Sequence, residues 1–217
     1  MPDPYLPSLE SLLLTDAEKA AIVAALATAK PWDWAPGGDV GDAIVSVKQK
    51  VRDLQMARHS DRCCYCRKNL HGGGHFVIDR EHVLPKSRAA FKQLAYEVWN
   101  LGIACKRCNM QYKGSNIDFV IDPTDVAALR TSMNYRLIHP NYDCYKDHIR
   151  IASYQDDDIT VVKYTKLGSE KGDYTYDYFN LRELEVGSFD AAQGAPQFDD
   201  LSGGALAARA LAAEYEQ

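Results

Sequence analysis

Two pairs of cysteines, Cys63-x-x-Cys66 and Cys105-x-x-Cys108, constrain this chain more than any other feature. Two residues between ligands let one tight turn aim both thiolates at one ion, and two such turns complete a tetrahedral shell. The fold must therefore bring together points about 40 residues apart in sequence. A Zn2+ ion held by Cys63, Cys66, Cys105 and Cys108 would tie them and contribute folding energy directly. Four sulfurs leave no open coordination position, so this ion is expected to be structural. Cys64 stands one residue from Cys66, too close for the same turn, and is expected to pack beside the site. His59, His71 and His75 lie nearby, but the thiolates already fill the shell. Cys144 stands alone and reads as a core residue or spare thiol.

A disulfide framework would suit a secreted chain. The first residues, MPDPYLPSLE, carry no basic region followed by an apolar stretch. No apolar run approaches the roughly 18 residues of a membrane span. A cytoplasmic location without membrane attachment is the expectation. The formal net charge of −5 argues against a polyanion partner only when read globally. Residues 44 to 113 hold 14 Lys/Arg against 5 Asp/Glu, and the excess of acid lies outside them. A basic module in an acidic protein can concentrate nucleic acid locally.

The expected class is α+β, a small zinc-tied finger embedded in a helical and mixed scaffold. Three regions are expected: an N-terminal helical scaffold over 1–60, the core over 61–118, and a mixed C-terminal scaffold over 119–217 packed as one unit with that core. Residues 15 to 30 read as a helix opened by Thr15 with Glu18 three positions on. A second helix is expected from about Asp42 to Arg58, with Ile44, Val47, Val51 and Leu54 on its apolar face. Trp32 and Trp34 read as a packed aromatic hinge. Phe76 to Ile78 reads as a strand, as do 135 to 139, 159 to 166 and 174 to 181, which are rich in Val, Tyr, Thr and Ile. The FVIDPTD and VAALR stretches predict a short strand or loop and then a helical turn. Ala205 to Tyr215 reads as an alanine-rich helix.

Between the cysteine pairs lies Glu81-His82, followed by Trp99-Asn100-Leu101 and Cys108-Asn109-x-x-x-Lys113. An adjacent carboxylate and imidazole can divide phosphodiester hydrolysis between them. One holds a hard divalent cation and the other takes a proton from water. If a helix starts near Cys105, Asn109 and Lys113 share one of its faces.

This order of residues resembles the HNH endonucleases of the His-Me finger superfamily in their zinc-knuckle form, whose fold is a β-hairpin followed by a helix, the ββα-metal finger. The resemblance implies that His82 is the general base and that Glu81 and Asn109 contact a catalytic Mg2+ or Mn2+ ion. Asn100 would brace the hairpin loop, and Lys113 would reach phosphate or the leaving oxygen. Glu81 replaces the more frequent Asp and Asn109 the stronger ligand His. Both changes favour an ion with oxygen ligands. Lys86, Arg88 and Lys92 are the candidate phosphate contacts, and Trp99 reads as a core anchor.

The spacing of Tyr65-Cys66, Glu81-His82, Pro85-Lys86, Trp99-Asn100-Leu101 and Lys113-Gly114, together with Leu137 to Asn141, Asp147-His148-Ile149, Lys171-Gly172 and Asn180-Leu181-Arg182, is similar to the HNH nuclease subunit of Septu anti-phage defence systems and their retron-associated relatives. That resemblance implies a bacterial defence effector governed by a partner ATPase, with His139 and His148 as scaffold or partner residues. The expected substrate is nucleic acid, DNA first, with RNA and tRNA left open. The alternative is a non-catalytic zinc module that binds nucleic acid or a protein.

Overall fold

Thr15 opens the first helix, α1 (Asp16–Leu26), through a reciprocal cap. The Glu18 backbone N–H donates to Thr15 Oγ1 at 3.2 Å and the Thr15 N–H donates to Glu18 Oε2 at 2.8 Å. The helix ends short of the expected residue 30 because Thr28 turns its N–H and hydroxyl onto Ala25 O. Glu18 also takes Lys50 Nζ at 2.8 Å and Ser46 Oγ at 2.7 Å, binding α1 to the second helix, α2 (Gly38–Arg58). Lys50 and Ser46 hold the Glu18 carboxyl down to about 2. Helix α2 begins four residues before the expected Asp42. Gly41 lies so close to the Pro36 carbonyl that a Cβ there would stand 2.1 Å from its oxygen, so only glycine admits this start. The expected face of Ile44, Val47, Val51 and Leu54 is buried. Trp32, Val47, Val51, Ala95 and Leu101 form one apolar cluster, and Ala21, Ala25 and Ile44 a second.

The computed structural model describes residues 3–74, 76–156 and 159–185. The chain divides into two compact units, Met1–Cys144 and Tyr145–Gln217. In the first, strand β1 (Ile78–His82) pairs antiparallel with β2 (Leu101–Cys105), setting Glu81 opposite Gly102 and His82 opposite Leu101. The strand starts at Ile78, where the expected one ended. A π-helical segment, Arg107–Lys113, follows β2 and ends at Gly114, whose φ is +49° and whose N–H donates to Asn109 O at 2.8 Å. Such segments are rare and recur at functional sites.

Residues 135–139 do not form the expected strand beyond a single bridge between Val120 and Tyr135. Tyr135 N–H turns back to Ser132 O and Arg136 N–H goes to Phe119 O, and beyond them side chains take the backbone donors. His139 N–H donates to Asp143 Oδ2 at 2.7 Å and Asn141 N–H to His139 Nδ1 at 3.2 Å. Asn141 Nδ2 in turn donates to Trp99 O and Leu101 O, latching this loop to the entry of β2.

The second unit contains β3 (Ile149–Asp156) and β4 (Ile159–Lys166), an antiparallel pair, and helix α3 (Glu170–Tyr178). The expected strand at 159–166 is present, but 174–181 is not a strand. Ser169 caps a helix there, its Oγ accepting from Gly172 N–H at 3.1 Å with Glu170 and Asp173 in the first turn. Local capping outweighs the β-propensity of Tyr and Thr. The expected helix at Ala205 to Tyr215 lies outside the described residues. No helix among the described residues is long and apolar enough to cross a membrane.

Candidate active site and metal centre

The Cys63–Cys66 turn is shaped by Arg67, whose φ is +58° and whose N–H donates to Cys63 O at 2.9 Å. Cys64 N–H donates to Ile103 O, which fixes this turn against β2. The four expected thiols are buried and their sulfurs lie within 4.8 Å of one another. Cys66 Sγ and Cys105 Sγ are 3.7 Å apart. A tetrahedral shell with zinc–sulfur bonds of 2.3 Å has edges of about 3.8 Å, so the cluster is compatible with structural zinc. Cys64 is buried beside it, its thiol pushed well up by burial. Among the other nearby histidines, His59 accepts from Arg67 through Nδ1, and His71 meets Asp61 at 3.1 Å. His75 lies outside the described residues.

Glu81 and His82 leave β1 in different directions, as successive strand residues do. Glu81 is fully buried behind the hairpin. Its Oε1 accepts from Tyr65 Oη and from Lys113 Nζ, each at 3.0 Å, while Oε2 has no hydrogen-bond partner. Burial pushes the Glu81 carboxyl up, against the pull of Lys113. Burial and Glu81 together raise the Tyr65 hydroxyl well above its ordinary range, so it stays a donor. Lys113 is buried as well, and a pair of this kind is costly to break from either side.

His82 is 5% exposed and its Nε2 lies 3.0 Å from Ala95 O. A carbonyl only accepts, so Nε2 carries the proton and Nδ1 holds the lone pair. No residue described here bonds Nδ1. Trp32 meets the imidazole edge-on, with ring centres 4.6 Å apart. Burial brings the His82 pKa down to about 3, despite the pull of Ala95 O in the other direction. The ring is therefore neutral at ordinary pH.

Asn100 is fully buried and braces the turn that follows His82. Its Oδ1 accepts from Leu84 N–H at 2.7 Å, and its Nδ2 donates to Leu84 O and Leu94 O. Its backbone carbonyl accepts from Val83 N–H. Asn109 and Lys113 both face the Asp79–Glu81 side of β1, for Asn109 Nδ2 donates to Asp79 Oδ2 at 3.1 Å while Lys113 meets Glu81. Glu81 and Asn109 are thus engaged with different partners. Among the described residues, the four cysteines are the one close group of three or more thiol, imidazole or carboxylate ligands.

A cleft of about 460 Å³ opens beside Asn109, lined by Arg52, Asp79, Arg80, Lys86 and Lys106 among others. Of the expected phosphate contacts, Lys86 reaches this cleft and pairs with Asp33 at 2.6 Å. Arg88 Nε donates to Ser115 O, and Lys92 sits on a short 3-10 turn, neither of them lining the cleft. His139 is buried in the loop that latches β2, and His148 Nδ1 lies 2.7 Å from Ser169 Oγ at the start of α3. Sequence reasoning missed Asp79, the Tyr65–Glu81 hydrogen bond and the Trp32–His82 contact. Period-two spacing from Glu81 would have placed Asp79 on the same face. Nothing local foretold the other two. The chain matches no family model, no curated protein and no solved structure.

Proposed function

We propose that this protein is a metal-dependent phosphodiesterase acting on nucleic acid, with His82 as its general base and β1, β2 and Arg107–Lys113 as a ββα-metal finger of the HNH kind. The state of His82 carries the reading. Its Nε2 proton is committed to Ala95 O, its ring is neutral, and Nδ1 is the lone-pair atom. A general base needs that lone pair within about 3 Å of the attacking water. The burial that keeps the ring neutral also makes it a weak base, until an anionic phosphate alongside stabilises the imidazolium that forms.

Cys63, Cys66, Cys105 and Cys108 would hold a zinc ion that ties the start of this finger to the end of β2. A magnesium or manganese ion would be held by Glu81 and Asn109, and when bound it would polarise a phosphoryl oxygen and steady the leaving group. Glu81 Oε2 is a buried hard oxygen with no donor, which fits such an ion, and the Asn109 amide lies beside a second carboxylate, Asp79. Lys113 holds the other Glu81 oxygen in place. Asn100 keeps the turn after His82 from shifting the ring.

The test incubates wild type and His82→Ala with plasmid, linear DNA, single-stranded DNA and tRNA, with and without added magnesium or manganese. His82→Ala should lower the cleavage rate roughly 100-fold or more, because positioned proton transfer commonly contributes about 10²–10⁴. Zinc content and circular dichroism should be unchanged. Equal cleavage by a folded His82→Ala protein would remove the base from this mechanism. Zinc-loaded wild type that binds nucleic acid and cleaves none of these substrates would favour the non-catalytic zinc module.

A further inference from the structure

The cleft beside Asn109 gathers positive charge from separate parts of the first unit. Arg52 comes from α2, Arg80 from β1, Lys86 from the turn after His82 and Lys106 from the end of β2. Lys48, one turn before Arg52 on α2, stands over the Trp32 ring at 5.4 Å. These cations crowd one another. Lys48 is shifted down by burial and then by Arg80 and Lys86, and Arg80 by burial and then by Arg52. The acids that face the group are Asp33, Asp53 and Asp79. Asp33 is taken by Lys86, Asp79 is shared between Lys106 at 3.2 Å and Asn109, and Asp53 stands 3.8 Å from Arg52. Five cations against three acids leave the cleft positive, in a protein whose net charge is −5. Like charges held together in a partly buried space favour an anion between them.

The size of the cleft narrows the choice of anion. About 460 Å³ lies in the range that encloses a drug-sized ligand, which suits one or two nucleotides and not a duplex. Its lining is partly apolar. Trp32, Ile78 and Met110, the last 64% exposed, line it together with the cations. A positive groove with apolar or aromatic faces for the bases is the arrangement that takes single strands.

We propose that this cleft binds a single-stranded stretch of nucleic acid, with Arg52, Arg80 and Lys106 on successive phosphates and Trp32 and Met110 against a base. The proposal rests on the phosphodiesterase reading and gives it a substrate class: unpaired strand, loop or frayed end. Trp32 then joins the two sites, since it both lines the cleft and packs on His82.

The experiment measures fluorescence anisotropy of a labelled 12-nucleotide DNA strand, the same strand as RNA, and its duplex, without added magnesium or manganese. The single strands should bind at least 10-fold more tightly than the duplex. Arg52→Ala with Lys106→Ala should weaken single-strand binding at least 10-fold and lower the salt slope by about 1.4, at about 0.7 per phosphate contact. Arg88→Ala with Lys92→Ala, outside the cleft, should change it less than twofold. Should the double variant lose zinc or helicity, Met110→Asp, on an exposed side chain, replaces it and should weaken binding at least fivefold. Three results overturn the proposal: a duplex bound as tightly as the single strand, affinity indifferent to Arg52 and Lys106, or a mononucleotide bound as tightly as the 12-mer. Cleft-dependent binding without any His82-dependent cleavage upholds the cleft and sinks the phosphodiesterase. His82-dependent cleavage with binding indifferent to the cleft cations does the reverse.

Discussion

The two antiparallel hairpins of this protein are held by different means. Strands β3 and β4 are eight residues each, separated by two residues in sequence, and rich in Val, Ile, Thr and Tyr. Their pairing is local, so little loop entropy opposes it. Strands β1 and β2 are five residues each, with residues 83–100 between them. β1 reads IDREH, an almost wholly polar strand, yet Glu81 and His82 are buried. Such a strand does not form on its own propensity. It persists because the cysteine cluster ties β2 to the turn at Cys63–Cys66, Lys113 neutralises Glu81, and Asn100 satisfies the turn after His82. Polar side chains are tolerated in this interior because each has a partner from another part of the chain, Tyr65 and Lys113 for Glu81 and Ala95 O for His82.

Removing the ties should separate the hairpins. Cys66→Ser or Cys108→Ser should have the largest effect, since structural zinc contributes about 10–16 kcal/mol in isolated zinc-finger peptides. Amide exchange should show protection lost across Ile78–His82 and Leu101–Cys105 and kept in β3 and β4. Intact protection of both hairpins in a zinc-free protein would mean that the first does not depend on a metal at the cysteine cluster.

The next effect comes from the buried ion pair. Lys113→Met leaves the Glu81 carboxylate uncompensated, a change that commonly costs about 3–5 kcal/mol. The exposed pair Lys166–Asp173 of the second unit, 3.1 Å apart, should by contrast give about 0–1 kcal/mol on Lys166→Met. Denaturant unfolding of both variants reads the difference directly, and equal losses would refute it.

Acid should act on the same contrast. His59 and His82 both have pKa values lowered to about 3 by burial, below the ordinary 6.5 of an unfolded chain. Their contribution is complete above pH 6.5 and is lost as pH falls from there through about 3, because the unfolded chain binds the protons first. At pH 4.5 the loss is roughly 2–3 kcal/mol for each, at about 1.4 kcal/mol per pH unit. His59→Gln should remove about one proton from the pH dependence of stability between 4.5 and 6. An unaltered slope would show that His59 is not buried neutral.

The smallest expected effect lies at α3. Ser169→Ala removes its cap and should cost about 1 kcal/mol, confined to amides of the second unit. A loss of protection in β1 and β2 of equal size would break the separation between the hairpins.

Local and periodic features were legible from the residues alone. The paired cysteine spacing placed a metal-compatible cluster, Thr15 and Glu18 placed a cap, and the three-and-four spacing of Ile44, Val47, Val51 and Leu54 gave the buried face of α2. Each depends on residues a turn or a knuckle apart, where backbone geometry fixes what a spacing means. The helix at Glu170–Tyr178 was misread as a strand because one serine cap decided it against nine residues of mixed propensity.

What only the tertiary structure decided is the company each polar side chain keeps. Adjacency in sequence joined Glu81 to His82, whereas the pleat sends one to Tyr65 and Lys113 and the other to Ala95 and Trp32. Charge counting found a basic segment, but the fold selected Arg52, Arg80 and Lys106 for the cleft and left Arg88 and Lys92 outside it. The sequence by itself determined which residues can ligate, cap and line an apolar face, because those properties belong to side-chain chemistry and to short spacings. The packing of α2 and Trp32 against the hairpin decided which of them meet, because burial, protonation and pairing depend on distances that no local spacing contains.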